Sequence, residues 1–298
     1  MSRLYGYVGK IPRVNLILFA LTCLSTTLVG TLLMSDFYQT MSGDWSMDIL
    51  KILRNPTLMV SGLPFSISIL TILFAHEMGH YLTCIHYGID ATPPYFIPAP
   101  TLMGTMGAFI KIRSPFQHRA SLLNVGVAGP IAGFVFAIPV LLIGLAYSRF
   151  VVLSSTAGWI QFGEPLIFRI AAYLMGKTPP TGMELALHPV GMAAWFGFLA
   201  TTLNLLPAGQ LDGGHMVYAL FPKLHKRISQ VLLITLIPLG IWYWGGWLLW
   251  VVLLLVVRLR HPMTMDDSIP LERMHLRLAW FGLAMFVLCF MPAPVYFG

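Results

Sequence analysis

Residues 58–86 read LMVSGLPFSISILTILFAHEMGHYLTCIH. The run is apolar and long enough to cross a bilayer, which takes about 20 residues. Between Arg54 and Asp90 its only formally charged side chain is Glu77. A carboxylate at membrane depth costs at least about 2.5 kcal/mol on insertion scales. Here the carboxylate sits between His76 and His80, so three polar side chains share one expensive position. A metal ion or a polar cavity accounts for that grouping; lipid packing does not.

The motif His76-Glu77-Met78-Gly79-His80 is H-E-x-x-H. Residues i and i+4 lie on one helical face, so both imidazoles reach one zinc ion (Zn2+). Glu77 is then placed to act as general base on a water at the metal. A tetrahedral catalytic zinc takes a third protein ligand and keeps one position open. His86 stands where the extended pattern H-E-x-x-H-x-x-G-x-x-H would put a third histidine. That pattern needs a glycine to turn the chain, and the position holds Thr83. On an unbroken helix, six residues at about 100° each carry His86 off the face of His80.

The second candidate is Asp212, the only charged residue between Glu184 and Lys223, in NLLPAGQLDGGH over 204–215. Alone it reads as an Asp-Gly turn at a membrane edge. It gains weight because its segment follows a span that exits on the same side as the His76/His80 helix, so the two can meet.

Composition fixes the solvent. Of 298 residues, 57% are hydrophobic and 10% charged, against roughly a quarter charged in a soluble domain. The apolar excess faces lipid. The formal charge of +7 forms no basic run, which excludes a nucleic-acid surface and suits loops that obey the positive-inside rule. Cys23, Cys84 and Cys289 lie far apart in apolar stretches and offer no disulfide framework or CxxC pair.

Apolar segments near 14–34, 58–86, 121–147, 189–206, 229–258 and 278–295 predict an all-α polytopic membrane protein with about six to seven spans. The first, behind Arg3, Lys10 and Arg13, lacks a cleavage site and reads as a retained span. The fifth is interrupted by Pro238, Gly240, Gly245 and Gly246. Arg258, Arg260, Arg273 and Arg277 follow it, and placing them inside requires a hairpin of two crossings over 229–258. The expected organisation is an N-terminal span and extracytoplasmic loop over 1–57, a catalytic membrane core over 58–220, and C-terminal spans over 221–298. The multi-pass protein is expected in the cell membrane with its site toward the cytoplasm.

H-E-x-x-H on a membrane helix, followed by Asn204-Leu205-Leu206-Pro207 and Leu211-Asp212-Gly213-Gly214, resembles the site-2 protease family of intramembrane metalloproteases. Ala128-Gly129-Pro130-Ile131-Ala132-Gly133 resembles that family's glycine-rich third core helix. Residues 102–113 (LMGTMGAFIKIR) resemble its extended membrane-associated segment, and His261-Pro262 before a final span also recurs. The likeness covers about 58–220. It implies His76, His80 and Asp212 as zinc ligands, Glu77 as catalytic acid/base, and Asn204 lining the site. It implies a transmembrane protein substrate, cut after another protease has shortened it. Many members carry a PDZ domain, and no loop here is long enough to hold one.

Several residues take a second reading. Gly129-x-x-x-Gly133 is a small-x-x-x-small face for close helix packing, a structural and not a catalytic feature. Alternation over 109–113 predicts a short strand whose edge pairs with an unwound substrate. His215 is either a proton donor beside Asp212 or a headgroup-level histidine. A metal-binding membrane transporter or chaperone with the same ligands is the alternative function, but it has no use for Glu77. No Gly-x-Ser-x-Gly is present for a serine enzyme, and no second membrane aspartate in a Gly-x-Gly-Asp context for an aspartyl one. Oligomeric state leaves no trace in the sequence.

Overall fold

A computed structural model describes residues 12–42, 49–152, 160–257 and 263–297. Arg3, Lys10, Arg258, Arg260 and the His261-Pro262 pair lie outside the described residues.

The first long helix, α1 (Arg13–Ser42), is turned inside out relative to a soluble helix. Val14, Leu16, Ile17, Leu21 and Leu24 are exposed, while Thr22, Thr26, Thr27 and Thr31 are buried. Each buried hydroxyl donates to the carbonyl one turn back, as Thr26 does to Thr22 at 2.7 Å, so polar groups are satisfied where water is absent. The helix α2 (Ile49–Arg54) and a 3-10 turn, Pro56–Gly62, lead into α3 (Leu63–His86), which has Pro64 in its first turn. A Cβ at Gly62 would overlap the Thr27 carbonyl oxygen, so α1 and the entry to α3 touch backbone to backbone.

Beyond α3 the chain forms an antiparallel hairpin of β1 (Tyr95–Pro98) and β2 (Thr105–Phe109). Gly104, at φ +74°, makes its turn against α1, where the Ser25 hydroxyl donates to the Gly104 carbonyl at 2.6 Å. The expected strand over 109–113 is displaced. Its first residue closes β2, and the rest runs on antiparallel beside residues 90–92 through a bridge between Ala91 and Ile112: the Arg113 N–H donates to the Asp90 carbonyl at 2.8 Å and the Lys111 N–H to the Thr92 hydroxyl at 2.9 Å. Those amides are already partnered, so the edge that remains belongs to β2.

Helix α4 (Arg119–Tyr147) is capped by His118, whose Nδ1 accepts from the Ser121 N–H at 3.0 Å. It crosses α3 where Gly79 meets Ala128, so closely that a Cβ would overlap the Ala128 carbonyl. Helix α6 (Pro189–Asn204) completes the central layer, and Ile72, Leu123, Phe134, Leu141 and Phe198 fill it. Before it lie β3 (Arg149–Val152), β4 (Ile160–Phe162), the helix α5 (Leu166–Leu174) and β5 (Met183–Ala186).

After α7 (Asp212–Leu220), the region 229–258 divides into α8 (His225–Trp242) and α9 (Gly246–Val257). The break falls at Gly245–Gly246 and not at Pro238, which stays inside α8. The two helices pack together where Gly240 leaves room for Leu248. Helix α10 (Arg273–Cys289) ends short of the expected limit at 295. Its tail becomes β6 (Val295–Phe297), paired antiparallel with β4, while β3 pairs with β5. These two small sheets correct the expectation that β structure is confined to 109–113.

Among the described residues, three helical stretches are long and apolar enough to cross a membrane: Arg13–Thr40, Pro56–His86 and Arg119–Tyr147. The later helices are shorter or less uniformly apolar.

Candidate metal centre

Helix α3 runs unbroken through His76, Glu77 and His80, and all three are buried at 7% exposure. Asp212 arrives from the other side as the first residue of α7. Its Oδ2 lies 3.3 Å from His76 Nε2 and 3.3 Å from His80 Nε2, and the two nitrogens are 3.2 Å apart. A tetrahedral zinc with ligands at 2.0–2.1 Å has ligand–ligand edges of about 3.3 Å. The triangle therefore has the size of one face of such a tetrahedron, leaving the fourth vertex to water or substrate.

Proton placement supports the same fit. His80 Nδ1 lies 2.8 Å from the Val125 carbonyl oxygen, which accepts its N–H and leaves Nε2 with a bare lone pair. The Asn204 amide nitrogen, at the end of α6, lies 3.1 Å from His76 Nε2. Two imidazole nitrogens and a carboxylate oxygen thus face one another in a buried space, an arrangement that a cation stabilises. Among the described residues, His76, His80 and Asp212 form a group suited to a metal by side-chain type and distance.

Glu77 stands outside the triangle. Ile110, just past β2, brings its backbone near the Glu77 carboxylate. This contact ties the extended segment to the acid/base candidate, and nothing in the sequence pattern announces it. Gly129 and Gly133 also do more than pack helices. A Cβ on Gly129 would overlap the His80 ring, and one on Gly133 would lie 3.2 Å from His76 Nδ1. The small face of α4 is cut to admit the two imidazoles, which corrects its reading as packing alone.

His215 lies one turn beyond Asp212. Its Cβ abuts Gly126 and its ring rests 5.8 Å from that of Phe116. His86 is exposed at the end of α3, 5.2 Å from the Tyr87 ring, and does not join the cluster. The helix never turns at Thr83, so the extended three-histidine pattern does not form. An apolar groove of about 430 Å³ opens beside α7, lined by Leu205, Pro207, Gly213, Met216, Ala279 and Phe286.

The chain matches peptidase family M50 over residues 64–239. It is 30% identical over 257 residues to the probable zinc metalloprotease EGY2, chloroplastic, of Arabidopsis thaliana, covering 84% of this chain and 45% of that protein. To the probable zinc metalloprotease EGY1, chloroplastic, of Arabidopsis thaliana it is 30% identical over 190 residues, covering 62% and 34%. To the probable zinc metalloprotease EGY3, chloroplastic, of Oryza sativa subsp. indica it is 26% identical over 179 residues, covering 54% and 30%. The chain spans less than half the length of these relatives.

Proposed function

The chain belongs to peptidase family M50, the site-2 protease family, and from that premise we propose that it is an intramembrane zinc metalloprotease cutting peptide bonds in or near transmembrane segments of membrane proteins. One observation carries the reading: two histidines of an apolar helix and the leading aspartate of α7 converge on a triangle of tetrahedral size, with Glu77 beside it. In this reading His76, His80 and Asp212 hold the ion. Bound zinc supplies Lewis acidity to a water and to the scissile carbonyl. Glu77 takes the proton of the attacking water and returns it to the leaving amine, so the proton count closes over one turnover. The Val125 carbonyl holds the His80 tautomer. Asn204 offers an amide donor at the rim, where the carbonyl oxygen gains charge. The apolar groove beside α7 suits an apolar stretch of substrate.

A transmembrane helix hides its amides in its own hydrogen bonds and must unwind before attack. Strand β1 lies against α1, which leaves β2 on the side of α3 and Glu77. An unwound substrate added to the β2 edge would lie beside the acid/base residue. Met106, 70% exposed on β2, is the probe position. A photo-crosslinker there is expected to capture substrate, and capture equal to that from Val231 on the lipid-exposed face of α8 would refute the pairing.

The same reading takes α6, the α8–α9 hairpin and α10 as further crossings, six to seven in all, around a core at 58–220. It puts the site toward the cytoplasm of the cell membrane, with lipid and a transmembrane substrate as partners. Purified chain in liposomes with a tagged single-span substrate tests the function. Cleavage should stop on chelation and return with zinc; cleavage that persists after verified metal removal rejects it. A transporter with these ligands has no use for Glu77.

A further inference from the structure

Helix α7 begins on Asp212 and is nine residues long. A helix this short does not hold its own place, so what grips it fixes the third candidate ligand. At its near end a Cβ on Gly213 would overlap the Leu205 carbonyl, and one on Gly214 would stand 2.5 Å from the Gly209 carbonyl oxygen. At its far end the grip is polar. The Tyr218 hydroxyl donates to Asp267 Oδ2 at 3.0 Å, and Asp267 Oδ1 accepts from the Thr264 hydroxyl. Arg119, the first residue of α4, donates from Nη1 to the Ala219 carbonyl at 3.3 Å and from Nη2 to the Ile269 carbonyl at 3.2 Å.

Residues 263–269 are also sewn to the lead-in of α4. The Met265 N–H donates to the Phe116 carbonyl and the Asp266 N–H to the Gln117 carbonyl, each at 2.9 Å. Tyr218 and Thr264 are buried. Burial, then the Asp267 carboxylate, push the Tyr218 phenol up to about 12, which keeps it a donor at any physiological pH.

We propose that segment 263–272 is a strap that sets the position of Asp212 by holding the far end of α7, which makes Tyr218 a positioning residue for the metal centre. The inference rests on the reading of His76, His80 and Asp212 as metal ligands. Six residues separate Tyr218 from Asp212, about 9 Å along the axis. A helix released at one end tilts at the other, and a metal site works within about 0.5 Å of its productive geometry. The strap leads directly into α10, so α10 bears on Asp212 through this segment.

The test uses the full chain in detergent with cobalt in place of zinc. Affinity is read by chelator competition, and geometry by the visible bands of the cobalt ion. Tyr218→Phe keeps the ring and removes one hydrogen bond, so affinity should fall about fivefold and the bands should shift. Asp267→Ala should do the same, and the double variant should lose no more than either single one. Ser148→Ala is the control: it removes a buried hydroxyl that donates to the Gly144 carbonyl at 2.7 Å, at the far end of α4. It should lower thermal stability and leave the cobalt bands unchanged. Wild-type affinity and bands in Tyr218→Phe overturn the strap, as does an equal loss of affinity in Ser148→Ala. Cobalt that binds, depends on Asp212 and ignores Tyr218 overturns the strap alone. A wild-type chain that takes up no cobalt overturns the ligand reading with it.

Discussion

Glu77→Gln should lower peptide hydrolysis by about 10²- to 10⁴-fold, the usual contribution of a general acid/base, while the chain keeps its zinc. Glutamine has the size of glutamate and keeps a carbonyl oxygen in the same place. It cannot take a proton from water. Glu77 is also outside the 3.2–3.3 Å triangle of candidate ligand atoms. Turnover against a tagged single-span substrate, with zinc measured on the same preparation, checks both halves. Zinc lost with the carboxylate would make Glu77 a ligand; turnover kept without it would require another base.

Gly129→Ala should weaken metal binding by at least about 100-fold, the upper range for changes that disturb ligand orientation. The added methyl would overlap the His80 ring, so His80 must leave its hydrogen bond with the Val125 carbonyl or α4 must move away from α3. Overpacking of this kind costs about 1–3 kcal/mol in stability, so a modest fall in melting temperature should accompany the loss. Gly133→Ala is the graded comparison. Its Cβ would stand 3.2 Å from the His76 ring, close enough to require a small shift, and it should cost much less metal affinity. Chelator competition on the two variants orders them. Equal affinity in Gly129→Ala and wild type would show that α4 does not frame the imidazoles.

What could be read from the chain alone was what carries a steep physical cost. A carboxylate and two imidazoles in an apolar run expose themselves through the price of desolvation, and helical spacing places both histidines on one side. The unbroken helix through Thr83 and the divided helix at Gly245–Gly246 follow from the presence and absence of glycine at those positions. Asp212 needed more than spacing: its reach to α3 depends on how α6 and α7 pack, and the family resemblance supplied that link.

The rest was hidden for definite reasons. A glycine pair four residues apart looks the same whether it admits a helix backbone or an imidazole ring, so the task of Gly129 and Gly133 was not visible. The Val125 carbonyl acts through a backbone atom, which residue identity does not mark. Alternation over 109–113 was real, but the amides of Lys111 and Arg113 are satisfied by Thr92 and Asp90 in an antiparallel pairing that the pattern does not encode. Strands of three or four residues such as β4 and β6 are too short to carry a period.

Zinc per chain, measured by elemental analysis on purified wild type, Asp212→Ala and His86→Ala, tests the central claim most directly. The structure brings the Asp212 carboxylate to 3.3 Å from the Nε2 atoms of His76 and His80 and leaves His86 exposed at the end of α3. Wild type and His86→Ala should therefore carry about one zinc per chain, and Asp212→Ala should carry almost none. Zinc retained without Asp212 and lost without His86 would contradict the account and move the third ligand to the end of α3.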